Sequence, residues 1–291
     1  MKSGAEQVRD ALSAWLERNG DAVLVGESVG RGGGNAGTTA GLFERFGADR
    51  VLDTPIADRT SFGLALGLAL GGRPVAVELS SSRALLAVAE MLADAGRFAS
   101  TAFRPALTVR VPIGGEAGEA IDPPAAELLD ALPGVRVVCI TAGTARSVLG
   151  AVLGSGVTVV LEPRAELAAR REAVDAAADR ARVVRDGSHA TVLAWGSAVA
   201  AATSAAEALQ SDGIEVRVLD LVCLSPVDPA VARHVIDTGR VVAAHPADSG
   251  LARRLLRVAL DEAFLFLESP PGDCSADPEA VKQAVRDSVL Y

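Results

Sequence analysis

Asp58 stands at a break in the chain where a carboxylate can do chemistry. The stretch from Arg50 to Gly72 reads RVLDTPIADRTSFGLALGLALGG. Val51 and Leu52 favour a strand, Asp53-Thr54-Pro55 breaks it, Asp58 follows, and then comes an apolar run with glycine at every fourth position. An acid at a strand-to-helix turn of an α/β chain sits where such folds hold their ligands. Two readings stay open from these residues alone. Asp58 can act on a ligand through its carboxylate. Alternatively, Thr60 or Ser61 caps the helix and Asp58 only favours the helix N-terminus by its charge. Gly63, Gly67 and Gly71 give that helix a small-residue face. In a soluble protein such a face implies close approach of another backbone, such as that of a second subunit.

Other stretches offer chemistry on paper and lack the context for it. Gly26-Glu27-Ser28-Val29-Gly30 spells the nucleophile elbow, which needs a strand, a sharp turn and a helix. The following RGGGNAG cannot open a helix. Gly32 to Gly37 spells G-x-G-x-x-G, with Asp53 or Asp58 about twenty residues on. A dinucleotide fingerprint must follow its strand directly, and GESVGRG intervenes, so a loop is the better reading. His245 falls at the end of a strand, either as a functional group or as an exposed loop histidine. No His, Cys and carboxylate cluster has the spacing of metal ligands. Lysine occurs only at Lys2 and Lys282, which leaves Schiff-base chemistry without a candidate. Cys139 and Cys223 lie in apolar runs far from Cys274 and read as reduced thiols.

The elements that must position Asp58 follow an α/β rhythm. With 291 residues, 49% of them apolar and 3% aromatic, the core has to be built from Ala, Val and Leu. Strands are expected at Ala22–Val25, 51–52, Val75–Leu79, Ala106–Val111, Val135–Ile140 and Val157–Leu161. Helices are expected at Ala5–Asn19, around Leu42–Phe46, at Arg83–Gly96, before Pro133, and at Thr144–Leu153. The charged, weakly apolar stretch 164–187 reads as a linker. The second half repeats the rhythm: strands Ala190–Trp195, Ile214–Leu219, Arg240–Ala244 and Phe264–Leu267, and helices Ala198–Gln210 with Ser197 as its cap, one from Pro226–Asp228, Leu251–Glu262 and Asp277–Val289. The class is therefore α/β, two doubly wound domains at 1–163 and 188–291. A net charge of −9 argues against nucleic acid as a partner. The polar N-terminus and the absence of a long apolar run predict a cytoplasmic protein that does not span a membrane.

Taken together, GESVG and RVLDTPIADRTSFGLALGLALGGRPVAVEL resemble the β-subunit of thiamine-diphosphate-dependent 2-oxoacid dehydrogenases, the E1 component. The pattern of that family is GE-x-V, R-x-x-D-T-P-I-x-E, a G-x-A-x-G helix and R-P. The similarity continues in order through Leu132-Pro133-Gly134-Val135, Leu161-Glu162, Gly213-Ile214, Leu219-Asp220-Leu221 and Ser225-Pro226-Val227-Asp228. It implies a pyrimidine-binding domain followed by a transketolase C-terminal domain. The diphosphate- and Mg-binding GDG motif is absent, and RDGSHA at Arg185 does not supply it. The resemblance thus implies an α-subunit that holds the Mg and the diphosphate, in an α2β2 assembly.

Residue by residue, the resemblance puts Asp58 at the motif glutamate, which hydrogen-bonds the aminopyrimidine ring nitrogen and helps the thiazolium lose its proton. Glu27, Ile56 and Ser81 fall at cofactor-lining positions, Ser81 where the family has an aromatic ring. The family's histidine falls near Ile121, with Asp122 beside it. Asp58 is one methylene shorter than glutamate, about 1.5 Å. Three functions follow from the resemblance and its departures. The first is a 2-oxoacid decarboxylase-type subunit that passes the acyl unit to a lipoyl or other carrier protein. The second is a split transketolase-like ketol transferase, for which Ser81, Ser82 and Arg83 suit a polyhydroxy or phosphorylated substrate. The third is a non-catalytic partner of the α-subunit.

Overall fold

Short unbroken runs of Val and Leu make strands that must be covered on both faces, as parallel strands are. The computed structural model describes residues 1–114, 128–129, 132–245 and 249–291. Its first half contains β1 (Lys2–Ser3), α1 (Gly4–Arg18), β2 (Val23–Glu27), α2 (Leu42–Phe46), β3 (Val51–Thr54), α3 (Asp58–Leu70) and β4 (Val75–Glu78). Then come α4 (Ala84–Ala87), α5 (Ala89–Phe98), β5 (Leu107–Ile113), β6 (Arg136–Cys139), α6 (Ala145–Val152), β7 (Val157–Pro163), α7 (Arg164–Ala168) and β8 (Arg170–Arg171). The second half holds β9 (Arg182–Arg185), β10 (Ala190–Ala194), α8 (Ala198–Gln210), β11 (Val216–Asp220), β12 (Cys223–Ser225) and α9 (Ala230–Thr238). It closes with β13 (Val241–His245), α10 (Ser249–Ala263), β14 (Gly272–Ser275) and α11 (Pro278–Leu290).

Two larger sheets result. The first runs β12-β6-β7-β5-β4-β2-β3, parallel except for the antiparallel β12 at its edge. The second runs β14-β13-β10-β11-β9, parallel except for β9. Alternation sends Val75, Val77, Val109 and Val159 to the core that includes α3 and α5, while Leu24, Ala76 and Val160 meet α1 and α6. In the second sheet Val192 and Ala194 pack on α8 and α11, and Leu193 and Trp195 on the core of α9 and α10. Both halves are therefore doubly wound. One core is continuous across them, running from Val77 to Cys139, Leu224 and Trp195. Among the described residues no helix is long and apolar enough to cross a membrane.

The first sheet carries an ionic centre inside it. Arg110 on β5 is wholly buried and ion-pairs Glu78 of β4 at 2.7 Å and Glu162 of β7 at 2.7 Å. The Glu162 contact is two-pronged, with Nε and Nη2 donating to its two oxygens at 2.7 and 2.9 Å. Burial opposes the guanidinium charge, and the two carboxylates outweigh it, holding Arg110 above its usual range. Burial pushes the Glu162 carboxyl up, with Arg110 opposing.

Several elements depart from the sequence expectation for physical reasons. The helix expected over 83–96 is two helices, broken at Val88, where φ is −111° and ψ 7°. Gly96, the last residue of the expected helix, lies inside α5, and glycine is required there because a Cβ would fall on the carbonyl oxygen of Pro133. Phe264–Phe266 forms an exposed 3-10 turn, and the closing strand is Gly272–Ser275, a polar edge strand without an apolar signature. The helix expected from Pro226 begins at Ala230, whose N–H is accepted by Asp228 Oδ1 at 2.9 Å. Ser197 makes no side-chain cap on α8. Residues 164–187 carry α7, β8 and β9, and β9 pairs with β11.

Arg110→Ala leaves two buried carboxylates without their cation. It should cost about 3–5 kcal/mol, read as a lower midpoint of urea unfolding. Glu162→Gln keeps the shape and removes a charge, and should cost much less in the same measurement.

Candidate functional site

The C-terminal ends of β2, β3 and β4 converge on the start of α3. Ala57 is its N-cap residue and makes no side-chain cap, so neither Thr60 nor Ser61 caps this helix. Ser61 instead lies within the first turn and bonds Thr54 Oγ1 at 2.7 Å. Asp58 opens the helix, half-buried, and Ser80 grips it. Ser80 N–H donates to Oδ1 at 3.1 Å and Ser80 O–H to Oδ2 at 3.0 Å. Glu27, at the end of β2, accepts the Ala57 N–H at 2.9 Å. Its carboxyl is pushed above the usual range, first by burial and then by the charge of Asp58, with the Ala57 N–H opposing.

The structure thus brings Glu27 and Asp58 together around Ala57. Ile56, on the same turn, is 90% exposed. Ser81 is half-buried on the turn after β4, and its carbonyl accepts the N–H of Ala84 at 3.1 Å. The residue that touches Asp58 is Ser80, one position earlier. Ile121 and Asp122 lie outside the described residues. His245 ends β13 in the second sheet, 6.2 Å from Trp195 in a stacked arrangement and 3.6 Å from Asp273.

The glycine-rich loop between β2 and α2 is tied down by carboxylates. Glu78 Oε1 accepts Asn35 N–H at 2.8 Å and Asn35 Nδ2 at 3.1 Å, and Oε2 accepts Thr38 O–H at 3.2 Å. Asp53 accepts the Gly30 N–H at 2.6 Å. Gly34 adopts φ +67°, and a Cβ there would crowd Thr39 Oγ1 and the Glu78 carboxylate. The run that spells a dinucleotide fingerprint therefore spends its N–H groups on the protein itself, Asn35 on Glu78 and Gly33, Gly34 and Gly37 on carbonyls of the same loop. Neither Ser80 nor the Glu78–Arg110–Glu162 centre was anticipated. The latter had a signal, a charged residue inside each of the apolar runs VAVEL, LTVRVPI and VVLEP.

Beyond its first turn, where Arg59 and Thr60 are exposed, the face of α3 turned away from the core is apolar and open. Leu64 is 43% exposed, and a Cβ on Gly67 would meet nothing within 4 Å among the described residues. A helix that is apolar all round is normally enclosed by protein. Among the described residues no group of three His, Cys, Asp or Glu side chains is placed to hold a metal.

A parallel sheet with an acid at a strand-to-helix turn, followed by a smaller doubly wound unit, defines a class of two-domain α/β proteins with the site at strand C-termini. The chain belongs to the transketolase-like family: residues 3–170 match the transketolase pyrimidine binding domain and residues 179–290 the transketolase C-terminal domain. It is 31% identical over 286 residues to the pyruvate dehydrogenase E1 component subunit beta of Acholeplasma laidlawii, covering 91% of this chain and 86% of that one. The subunit of the same name from Staphylococcus epidermidis is 34% identical over 289 residues, with the same coverage. That from Staphylococcus aureus is 32% identical over 295 residues, covering 93% and 88%. Among solved structures, a chain titled "Split gene transketolase, inactive beta4 tetramer" matches with a TM-score of 0.78 at 18% identity, covering 99% of this chain and 98% of that one. That likeness is one of fold.

One buried acid lies apart from the site. Asp220, at the end of β11, is wholly buried, with Arg182 at 3.4 Å. Burial pushes its carboxyl up to about 6, with Arg182 opposing. The folded value exceeds the ordinary 3.8, so its stabilising contribution is full below about pH 4 and is lost as pH rises through about 6. Asp220→Asn should therefore raise stability at pH 8 by at most about 3 kcal/mol. The gap from wild type should close as the pH of a denaturant titration is lowered from 8 to 4.

Proposed function

We propose that this chain is the β-type subunit of a thiamine-diphosphate-dependent enzyme that decarboxylates a 2-oxoacid and transfers the resulting acyl or aldehyde unit. Its curated relatives named as pyruvate dehydrogenase E1 β subunits support that reading. The observation that carries it to this site is Asp58, a half-buried carboxylate at the uncapped start of α3, flanked by Glu27 and by the exposed Ile56.

The donor set suits the pyrimidine end of the cofactor. Asp58 has acceptor capacity left beyond its two bonds to Ser80, since a carboxylate offers about four lone-pair sites. It would hold the proton of a ring nitrogen. Glu27 fixes the first turn of α3 through Ala57 and adds a second carboxyl, held above the usual carboxylate range by burial and by the charge of Asp58. Ile56 supplies an apolar wall, and Ser81 sits on the turn that borders Asp58. When bound, thiamine diphosphate supplies a nucleophilic carbon and an electron sink for decarboxylation. The diphosphate and its Mg would be held by an α-subunit in an α2β2 assembly, with a lipoyl or other carrier protein taking the acyl unit in the cytoplasm. An open carboxylate beside exposed apolar surface is a site that needs a second surface to exclude water. The apolar outer face of α3 supports the same conclusion.

Co-expression with an α-like chain carrying the GDG motif should yield a complex that binds thiamine diphosphate by calorimetric titration. The β chain alone should bind it far more weakly. Failure of the complex to bind would leave the non-catalytic reading. In a binding complex, Asp58→Ala should reduce exchange of the thiazolium C2 proton to the rate of the free cofactor, followed by NMR. Exchange at the wild-type rate would remove Asp58 from the mechanism.

A further inference from the structure

We infer that Ser80 is a positioning residue that makes the short carboxylate of Asp58 usable at this site. The inference rests on the reading that the site holds thiamine diphosphate. Ser80 places one donor on each oxygen of Asp58, its N–H at 3.1 Å and its O–H at 3.0 Å. A carboxylate gripped at both oxygens has its two side-chain torsions fixed. A half-buried aspartate without that grip would sample several rotamers.

Both ends of the grip stand on rigid structure. Ser80 follows Leu79, which is buried and donates its N–H to the carbonyl of Arg110 at 2.9 Å. Leu79 in turn follows Glu78, which is ion-paired to the same arginine. On the other side, Glu27 holds the N–H of Ala57, the residue before Asp58. The distance between the β4 turn and the start of α3 is thus set by the sheet. A glutamate at position 58 would carry its carboxylate about 1.5 Å further and could not meet both Ser80 donors from the same backbone. The short acid and the serine are therefore matched. Ser80 takes about two of the four acceptor sites of the carboxylate and leaves one on each oxygen for a ligand.

The test uses the complex with the α-like chain. Misplacement of a reacting group by about 1 Å costs on the order of 100-fold. Ser80→Ala removes one of the two donors and should slow thiazolium C2 proton exchange by about 10-fold. The dissociation constant for thiamine diphosphate and the melting temperature of the complex should not move. Ser80→Thr keeps the hydroxyl and should restore exchange to within about twofold of wild type. Asp58→Glu should slow exchange in the presence of Ser80, and adding Ser80→Ala should slow it no further. Crystal structures of the cofactor-free complexes give an independent readout: one Asp58 rotamer in wild type, and more than one in Ser80→Ala. Wild-type exchange in Ser80→Ala would overturn the inference. So would loss of cofactor affinity in step with exchange, or a single Asp58 rotamer in the variant crystal. If the wild-type complex binds no thiamine diphosphate, the proposed function falls, and the rotamer comparison alone decides whether Ser80 positions Asp58.

Discussion

The structure is organised around a guanidinium with no access to water. Arg110 is enclosed between β4 and β7, and its charge is paired because Glu78 and Glu162 approach it from either side. Such a centre adds little net stability compared with an apolar core, since desolvating three charges costs roughly what their attraction returns. What it supplies is a single geometry. The strands must align so that three charged side chains meet, and any other register leaves a charge buried alone. Glu78 then extends that order outward, through Asn35 and Thr38 to the glycine-rich loop and through the next two residues to Ser80. The positions of Asp58 and its neighbours are set by an interaction in the middle of the sheet.

Around that fixed frame the site is open on one side. Glu27 and Asp58 flank one turn, and burial together with the charge of Asp58 holds the Glu27 carboxyl above its usual range. Two carboxyl groups, beside an exposed isoleucine and a helix with an apolar outer face, form half of an enclosure. The ionic centre and the open face divide the labour: one holds the acid in place, and the other leaves it accessible to whatever surface completes the pocket.

The apolar inner strands and most helices were legible because Val-rich runs and 3.6-residue periodicity report burial directly. The acid at the strand-to-helix turn was legible for the same reason, since DTPI breaks a pattern that is otherwise regular. What was not legible depended on contacts distant in the chain. Gly96 ends the expected helix, and its role as an approach point for Pro133 is not visible from the sequence. The closing strand Gly272–Ser275 is held by β13 rather than by its own apolarity. Ser80 has the composition of any turn serine, and its meaning comes from Asp58, twenty-two residues earlier. Arg110, Glu78 and Glu162 were visible as charges in apolar strands, and only the sheet order showed that the three belong together.

β12 has a consequence for how the two halves can be separated. It comes from the second half of the chain, yet it pairs with β6 as the outermost strand of the first sheet, and Val222 just before it accepts the N–H of Cys139 at 2.9 Å. A gene divided between residues 171 and 182 would therefore not yield two self-sufficient pieces. The upstream fragment would present the bare margin of β6, a row of unsatisfied amides and carbonyls that recruits any passing strand. The downstream fragment would carry a hem with no garment to close.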